Sequence, residues 1–138
     1  MASETYVQEC DKLCIPVIPL IQNILEQKPE IFDLSRAYVG DKQAVAIAQA
    51  LKIIKPKQVL MPQNGLMNFG TRSLLSGLEG SNIEVLDIGK NDFAPSCIKD
   101  ICRFVINTPK IKEVRVLQCS HIKPEHVRQI QDAFLKRK

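Results

Sequence analysis

Apolar and polar residues alternate in short bursts along this chain, and the bursts recur at a fixed interval. Within Ile83–Phe93 the apolar positions are Ile83, Leu86, Ile88 and Phe93, with Asn91 placed before the last of them. Leu86 and Ile88 flank charged Asp87, the period-two pattern of a short strand with one buried face. One period earlier in the chain, Val59, Met61, Asn64 and Leu66 stand at the matching positions. A second equal step back finds Phe32, Leu34 and Val39, with Ala37 where the asparagine stood. A forward step, one position longer, reaches Ile111, Val114, Val116 and Cys119, with Ile122 one place late. The chain is thus expected to hold four consecutive units, near 29–55, 56–82, 83–110 and 111–138.

Each strand pattern is followed by helical spacing. Ala44, Ile47, Ala48 and Leu51 repeat on one helical face after Gly40-Asp41, a turn with a candidate N-cap. In the second unit Gly70 is expected to turn the chain before Leu74, Leu75 and Leu78. Gly77-Leu78-Glu79-Gly80 does not match a phosphate loop and reads as the stop of that helix. The third helix opens at Pro95 and continues through Ile98, Ile101, Cys102 and Val105; the fourth opens at Pro124 and carries Val127, Ile130 and Phe134. Pro29, Pro56 and Pro109 mark helix exits.

Short strands alternating with helices should pair in parallel. Because alternate strand residues are polar, one sheet face should stay open, and helices on the other face alone impose curvature, since helices are wider than strands. The expected architecture is an α/β solenoid: a short, gently curved right-handed superhelix with the sheet on its concave face. Residues 1–28 fit it less well. Tyr6, Cys10 and Cys14 before Ile15-Pro16 suggest a short helix ended by proline, and Val17, Leu20, Ile21, Ile24 and Leu25 fall in register with the later helices. This segment is expected to be an N-terminal helical cap, as the terminal units of stacked folds require.

The pattern resembles leucine-rich repeats of the ribonuclease-inhibitor type, with their frame Leu-x-x-Leu-x-Leu-x-x-Asn/Cys-x-Leu. Phe32–Asp41 is similar to the strand and turn of that family and Ala44–Leu51 to its helix. The resemblance covers about residues 29–138 and implies a fold more than a function. Departures are Ala37 at the asparagine position, Pro62 in the second strand region and the late Ile122. The helical start is similar to that of some cytoskeletal and axonemal leucine-rich-repeat proteins.

Composition alters this picture little. A chain of 138 residues, 45% apolar and 25% charged, is expected to form one folded domain. With five Phe, two Tyr and no Trp, its core must be largely aliphatic. No apolar stretch reaches the ~20 residues of a membrane span, and no leader pattern opens the chain. The odd number of cysteines (Cys10, Cys14, Cys97, Cys102, Cys119) without a two-residue spacing points to free thiols in a reducing compartment. Net charge is +4 and uneven: residues 1–54 hold five basic against seven acidic side chains, residues 55–138 fourteen against eight.

These residues offer little to catalysis. Asn64 and Asn91, with Cys119 at the same place, are expected to hold backbone groups at a bend. Cys10 and Cys14 share a helical face, but His121 and His126 belong to the far end of the stack, and Cys97 and Cys102 are poorly spaced for chelation. No metal, cofactor or catalytic site is expected, since a nucleophile needs a base held by a third group. The basic tail Lys136-Arg137-Lys138 reads as a solvated terminus.

The open sheet face remains. Its central column should be Asp33, Leu60, Asp87 and Arg115, flanked by Ile31, Gln58, Val85 and Glu113 on one side. The other flank is Ser35, Pro62, Gly89 and Leu117, with Arg36, Gln63, Lys90 and Gln118 beyond it. Apolar side chains set among charges suit a protein partner. The candidate contacts are Ile31, Asp33, Arg36, Gln58, Leu60, Val85, Asp87, Lys90, Glu113, Arg115 and Leu117. The expected role is a non-enzymatic adaptor in the cytoplasm, with the cytoskeleton as a candidate setting. Two alternatives are regulation of a small GTPase, by analogy with an activator family sharing this repeat type, and nucleic-acid association through the basic half. The second lacks aromatic residues interleaved with the basic ones, so a nucleic acid is the less expected partner.

Overall fold

The computed structural model describes residues 1–137; Lys138, last of the basic tail, lies outside the described residues. Two helices, α1 (Ala2–Lys12) and α2 (Pro19–Glu26), precede the first strand. Four strands follow, β1 (Ile31–Asp33), β2 (Gln58–Leu60), β3 (Val85–Asp87) and β4 (Glu113–Arg115), each only three residues long. They alternate with α3 (Gly40–Ile54), α4 (Asn68–Leu78), α5 (Ile98–Asn107) and α6 (Pro124–Lys136), α5 being entered through a 3₁₀ turn at Pro95–Cys97. The result is an α/β fold with one four-stranded parallel sheet in the order β1-β2-β3-β4.

The repeat seen in the sequence is the pairing register of this sheet. Ile31 pairs with Gln58, Gln58 with Val85, and Val85 with Glu113. The middle residue of each strand points into the core. Phe32, Val59 and Leu86 are fully buried, whereas Val114 on the last strand is half-buried. Leu34, Met61, Ile88 and Val116, just past the strands, are buried on the same side. Burying such side chains stabilises each position by roughly 1.5–3 kcal/mol.

The helix layer is held by small residues. α3 packs most extensively on α4 and on α1. A Cβ at Gly77 would sit 2.9 Å from the Ala48 carbonyl oxygen, and one at Gly70 2.9 Å from Asp41 Cα. Gly70 therefore lies inside α4, where it admits α3 closely, rather than turning the chain as expected. Gly77 also belongs to the helix, and the stop is made by Gly80 at φ +76°. Asp41 does not cap its own helix either: its carboxylate accepts the Met67 N–H at 2.8 Å, tying the entrance of α3 to that of α4.

α1 is anchored by a polar contact within the core. The fully buried Tyr6 hydroxyl donates to Gln43 Oε1 at 2.7 Å and accepts the Ile18 N–H at 3.1 Å. Gln43 Nε2 in turn donates to the Pro16 carbonyl at 2.7 Å. Burial pushes the Tyr6 phenol up to about 12, against the lowering effect of the Ile18 N–H.

Candidate functional site

The bend after each strand positions everything on the open face. Asn64 Nδ2 donates to the Leu34 carbonyl at 2.7 Å, and Asn91 Nδ2 to the Met61 carbonyl at 3.1 Å. Cys119 Sγ reaches the Ile88 carbonyl at 3.3 Å from the matching place. Asn91 Oδ1 also accepts the N–H groups of Asn64 and Leu66, at 2.9 and 3.0 Å. Each side chain thus satisfies backbone of the preceding strand region, which buried groups require. Ala37 departs from the pattern for a simple reason: β1 is the first strand, so no earlier strand offers it a carbonyl.

Immediately before these side chains, the backbone turns left-handed at Arg36, Gln63, Lys90 and Gln118, with φ of 54–59°. Bonds to the next unit offset the strain, as Arg36, Gln63 and Lys90 N–H groups donate to the carbonyls of Pro62, Gly89 and Leu117. Arg36 and Lys90 are consequently held on one rim of a groove of about 490 Å³, whose lining includes Asp87, Arg115, Leu117 and Gln118.

The eleven predicted contact residues all lie along the sheet face or this rim. Ile31, Asp33, Arg36, Lys90, Glu113 and Leu117 are exposed, and Gln58, Leu60, Val85, Asp87 and Arg115 are half-buried. Ile31 is 50% exposed and Leu117 74%. Two of the eleven have structural duties that sequence spacing did not disclose. Asp33 accepts the Ser35 N–H at 3.2 Å and Asp87 the Gly89 N–H at 2.9 Å, each holding its own turn. Between them stands Leu60, followed by Pro62, which has no N–H to satisfy; the position is free to be apolar. Arg115 reaches Glu113 at 2.7 Å and lies 3.8 Å from Asp87. Hydrogen bonding to Arg115 holds the Glu113 carboxyl below the usual carboxylate range.

Sequence reasoning missed a second exposed apolar cluster, Met67 and Phe69 at the entrance of α4, beside Asp41, Asp92 and His121. Unbroken polar-to-apolar alternation stops before these residues, so no periodic signal marked them.

Four of the five thiols are buried or partly buried, and Cys14 is exposed. Burial pushes Cys10, Cys97, Cys102 and Cys119 up, away from the thiolate form that attack or metal ligation requires. Among the described residues no group of three or more His, Cys, Asp or Glu is placed to hold a metal. Likewise, no described helix is long and apolar enough to cross a membrane.

No family model and no curated protein matches this chain in sequence. Solved structures do match it in fold. Leiomodin-1 actin-binding site 2 superposes with a TM-score of 0.73 at 15% identity, covering 88% of this chain and 75% of that one. The tropomodulin C-terminal domain of Caenorhabditis elegans gives 0.51 at 10% identity, covering 84% of this chain and 92% of that one. These neighbours correct the resemblance to ribonuclease-inhibitor-type leucine-rich repeats. The frame Leu-x-x-Leu-x-Leu-x-x-Asn describes only a strand and its bend, which this fold shares, and it is silent about α1 and its packing on α3. The chain is similar in fold to the leiomodin and tropomodulin domains instead.

Proposed function

We propose that this chain is a non-enzymatic protein-binding module of the actin cytoskeleton, acting in the cytoplasm and engaging its partner across the open face of the sheet. The observation that carries this reading is the group of aliphatic side chains exposed or half-buried on the open face: Ile31, Leu60 and Val85 on the three-residue strands and Leu117 just past β4. Gln58, Asp87, Lys90, Arg36, Asp33 and the Glu113–Arg115 pair supply the polar surround. Such a mixture is what protein interfaces use. A face already fixed by the buried asparagines would lose little freedom on binding. In this reading the four strand-and-helix units form a short, gently curved superhelix with the sheet on its inner side.

Actin is the partner class to test first, since the fold matches a structure described as an actin-binding site. Regulation of a small GTPase has only the corrected resemblance behind it. Four of the fourteen cations in the basic half pair with acids of the same half: Arg72 with Asp100, Arg103 with Glu79, Lys112 with Glu84 and Arg115 with Glu113. Eight acidic side chains interspersed among them, with no aromatics interleaved, favour a solvated surface over a nucleic-acid contact. Cosedimentation with filamentous actin tests the proposal, wild type against the double variant Ile31→Glu/Leu60→Glu. Wild type should pellet with filaments and the variant should stay in the supernatant. Equal pelleting of both would remove the sheet face from the reading, and wild type left in the supernatant would remove actin.

A further inference from the structure

The two edges of the sheet are finished differently. At β1 the inward side chains Phe32 and Leu34 are buried. At β4, Val114 is only half-buried, and beside it Val127, Ile130 and Phe134 of α6 line an open groove of about 390 Å³. Leu135, on the same groove, is 83% exposed.

The backbone of β4 fixes which groups face outward. Glu113 N–H donates to the Glu84 carbonyl, and the carbonyls of Arg115 and Leu117 accept the N–H groups of Ile88 and Lys90, at 3.0 and 2.9 Å. Odd-numbered residues thus bond to β3, which leaves the backbone groups of Val114 and Val116 directed to the free side. An added strand can pair with them.

We propose that the added strand is β4 of a second copy of this chain, running antiparallel about a two-fold axis at Val114, so that two sheets join into one. The charge pattern selects this occupant. With the axis at Val114, that residue exchanges both backbone bonds with its mate. Glu113 of each copy then falls opposite Arg115 of the other, at the closely spaced pairs of an antiparallel ladder. Moving the axis one residue either way would set Arg115 against Arg115 or Glu113 against Glu113. A strand of three residues is therefore self-complementary in one antiparallel register, as an isologous interface requires. The pairing also places the apolar flank of α6 beside its mate; it engages Glu113 and Arg115 but leaves the rest of the sheet face, from Ile31 through Leu60 to Val85, open on both copies.

Sedimentation equilibrium of the full chain through the micromolar range tests this, using wild type, Glu113→Arg, Arg115→Glu and the double swap. Wild type should self-associate to a dimer. Each single change sets like charges together twice across the axis and should raise the dissociation constant about tenfold or more. The double swap restores opposite charges and should return it to near the wild-type value. A monomeric wild type overturns the proposal, whichever other protein covers the edge. So does equal association of all four proteins, or a double swap as weak as the singles. Far-UV circular dichroism checks that each variant is folded, and none of these residues touches the Ile31 and Leu60 changes that test the sheet face.

Discussion

Two columns of side chains run across the same four units, and they do opposite work. One, Asn64, Asn91 and Cys119, is buried and bonded to backbone of the preceding unit. The other, Asp33, Leu60, Asp87 and Arg115, stands on the open face. The first column is a stability device, because a buried polar group without a partner costs far more than a satisfied one gains. In the second, Asp33 and Asp87 hold only their own turns, and Leu60 and Arg115 bind no backbone, so their identity is free to answer to a partner. Conspicuous residues in this fold therefore need not be functional ones: the asparagines are the strongest motif in the chain and face away from the open surface.

The sharpest way to break the buried column is Asn91→Ala. It leaves the N–H groups of Asn64 and Leu66 without their acceptor and the Met61 carbonyl without its donor, while the Ile88 and Gly89 carbonyls keep Cys119 and the Gln63 N–H. Urea unfolding should show a loss of about 3–5 kcal/mol. A loss below about 1 kcal/mol would mean water replaces the side chain and the column is not structural.

The next effect concerns pH. Tyr6 is neutral in the fold and held up to about 12, above its ordinary value near 10, by burial. The unfolded chain therefore loses this proton first. Its contribution is complete below pH ~10 and disappears as pH rises toward 12, a loss on the order of 2 kcal/mol. Denaturant midpoints against pH check this, and Tyr6→Phe, which cannot ionise, should lack that alkaline step.

A smaller effect, of opposite sign, is expected at Thr71, whose buried hydroxyl has no hydrogen-bond partner among the described residues. Thr71→Val removes the unpaired group at nearly constant volume and should stabilise the fold by about 1 kcal/mol in thermal unfolding.

Much of the fold was legible because its signal is local and repeated. Leu86 and Ile88 around Asp87 announce a strand, and the same pattern on Val59 and Met61 lies one period away, as does its pairing partner. Alternation alone assembled the sheet face, and the structure does bring those residues onto one surface. Contacts between units were not legible. Asp41 serves Met67, Asn68 serves Ala94, and Tyr6 serves Gln43, partners far apart in the chain with no periodicity to reveal the choice. Gly70 and Gly77 read as chain breakers because glycine is ambiguous without its neighbours; only the closeness of α3 shows why each lacks a side chain. The motif frame likewise led to the wrong relatives, since it samples the bend and omits the α1 contact through Tyr6 and Gln43.

The smallest stability effect belongs to the open face. Ile31→Glu/Leu60→Glu should change unfolding free energy by no more than about 0.5 kcal/mol per site. The most direct measurement is binding of this folded variant and wild type to filamentous actin by cosedimentation. Wild type is expected to bind saturably, and the variant to lose binding at unchanged stability. Binding that survives both substitutions would contradict the claim that the open sheet face receives the partner.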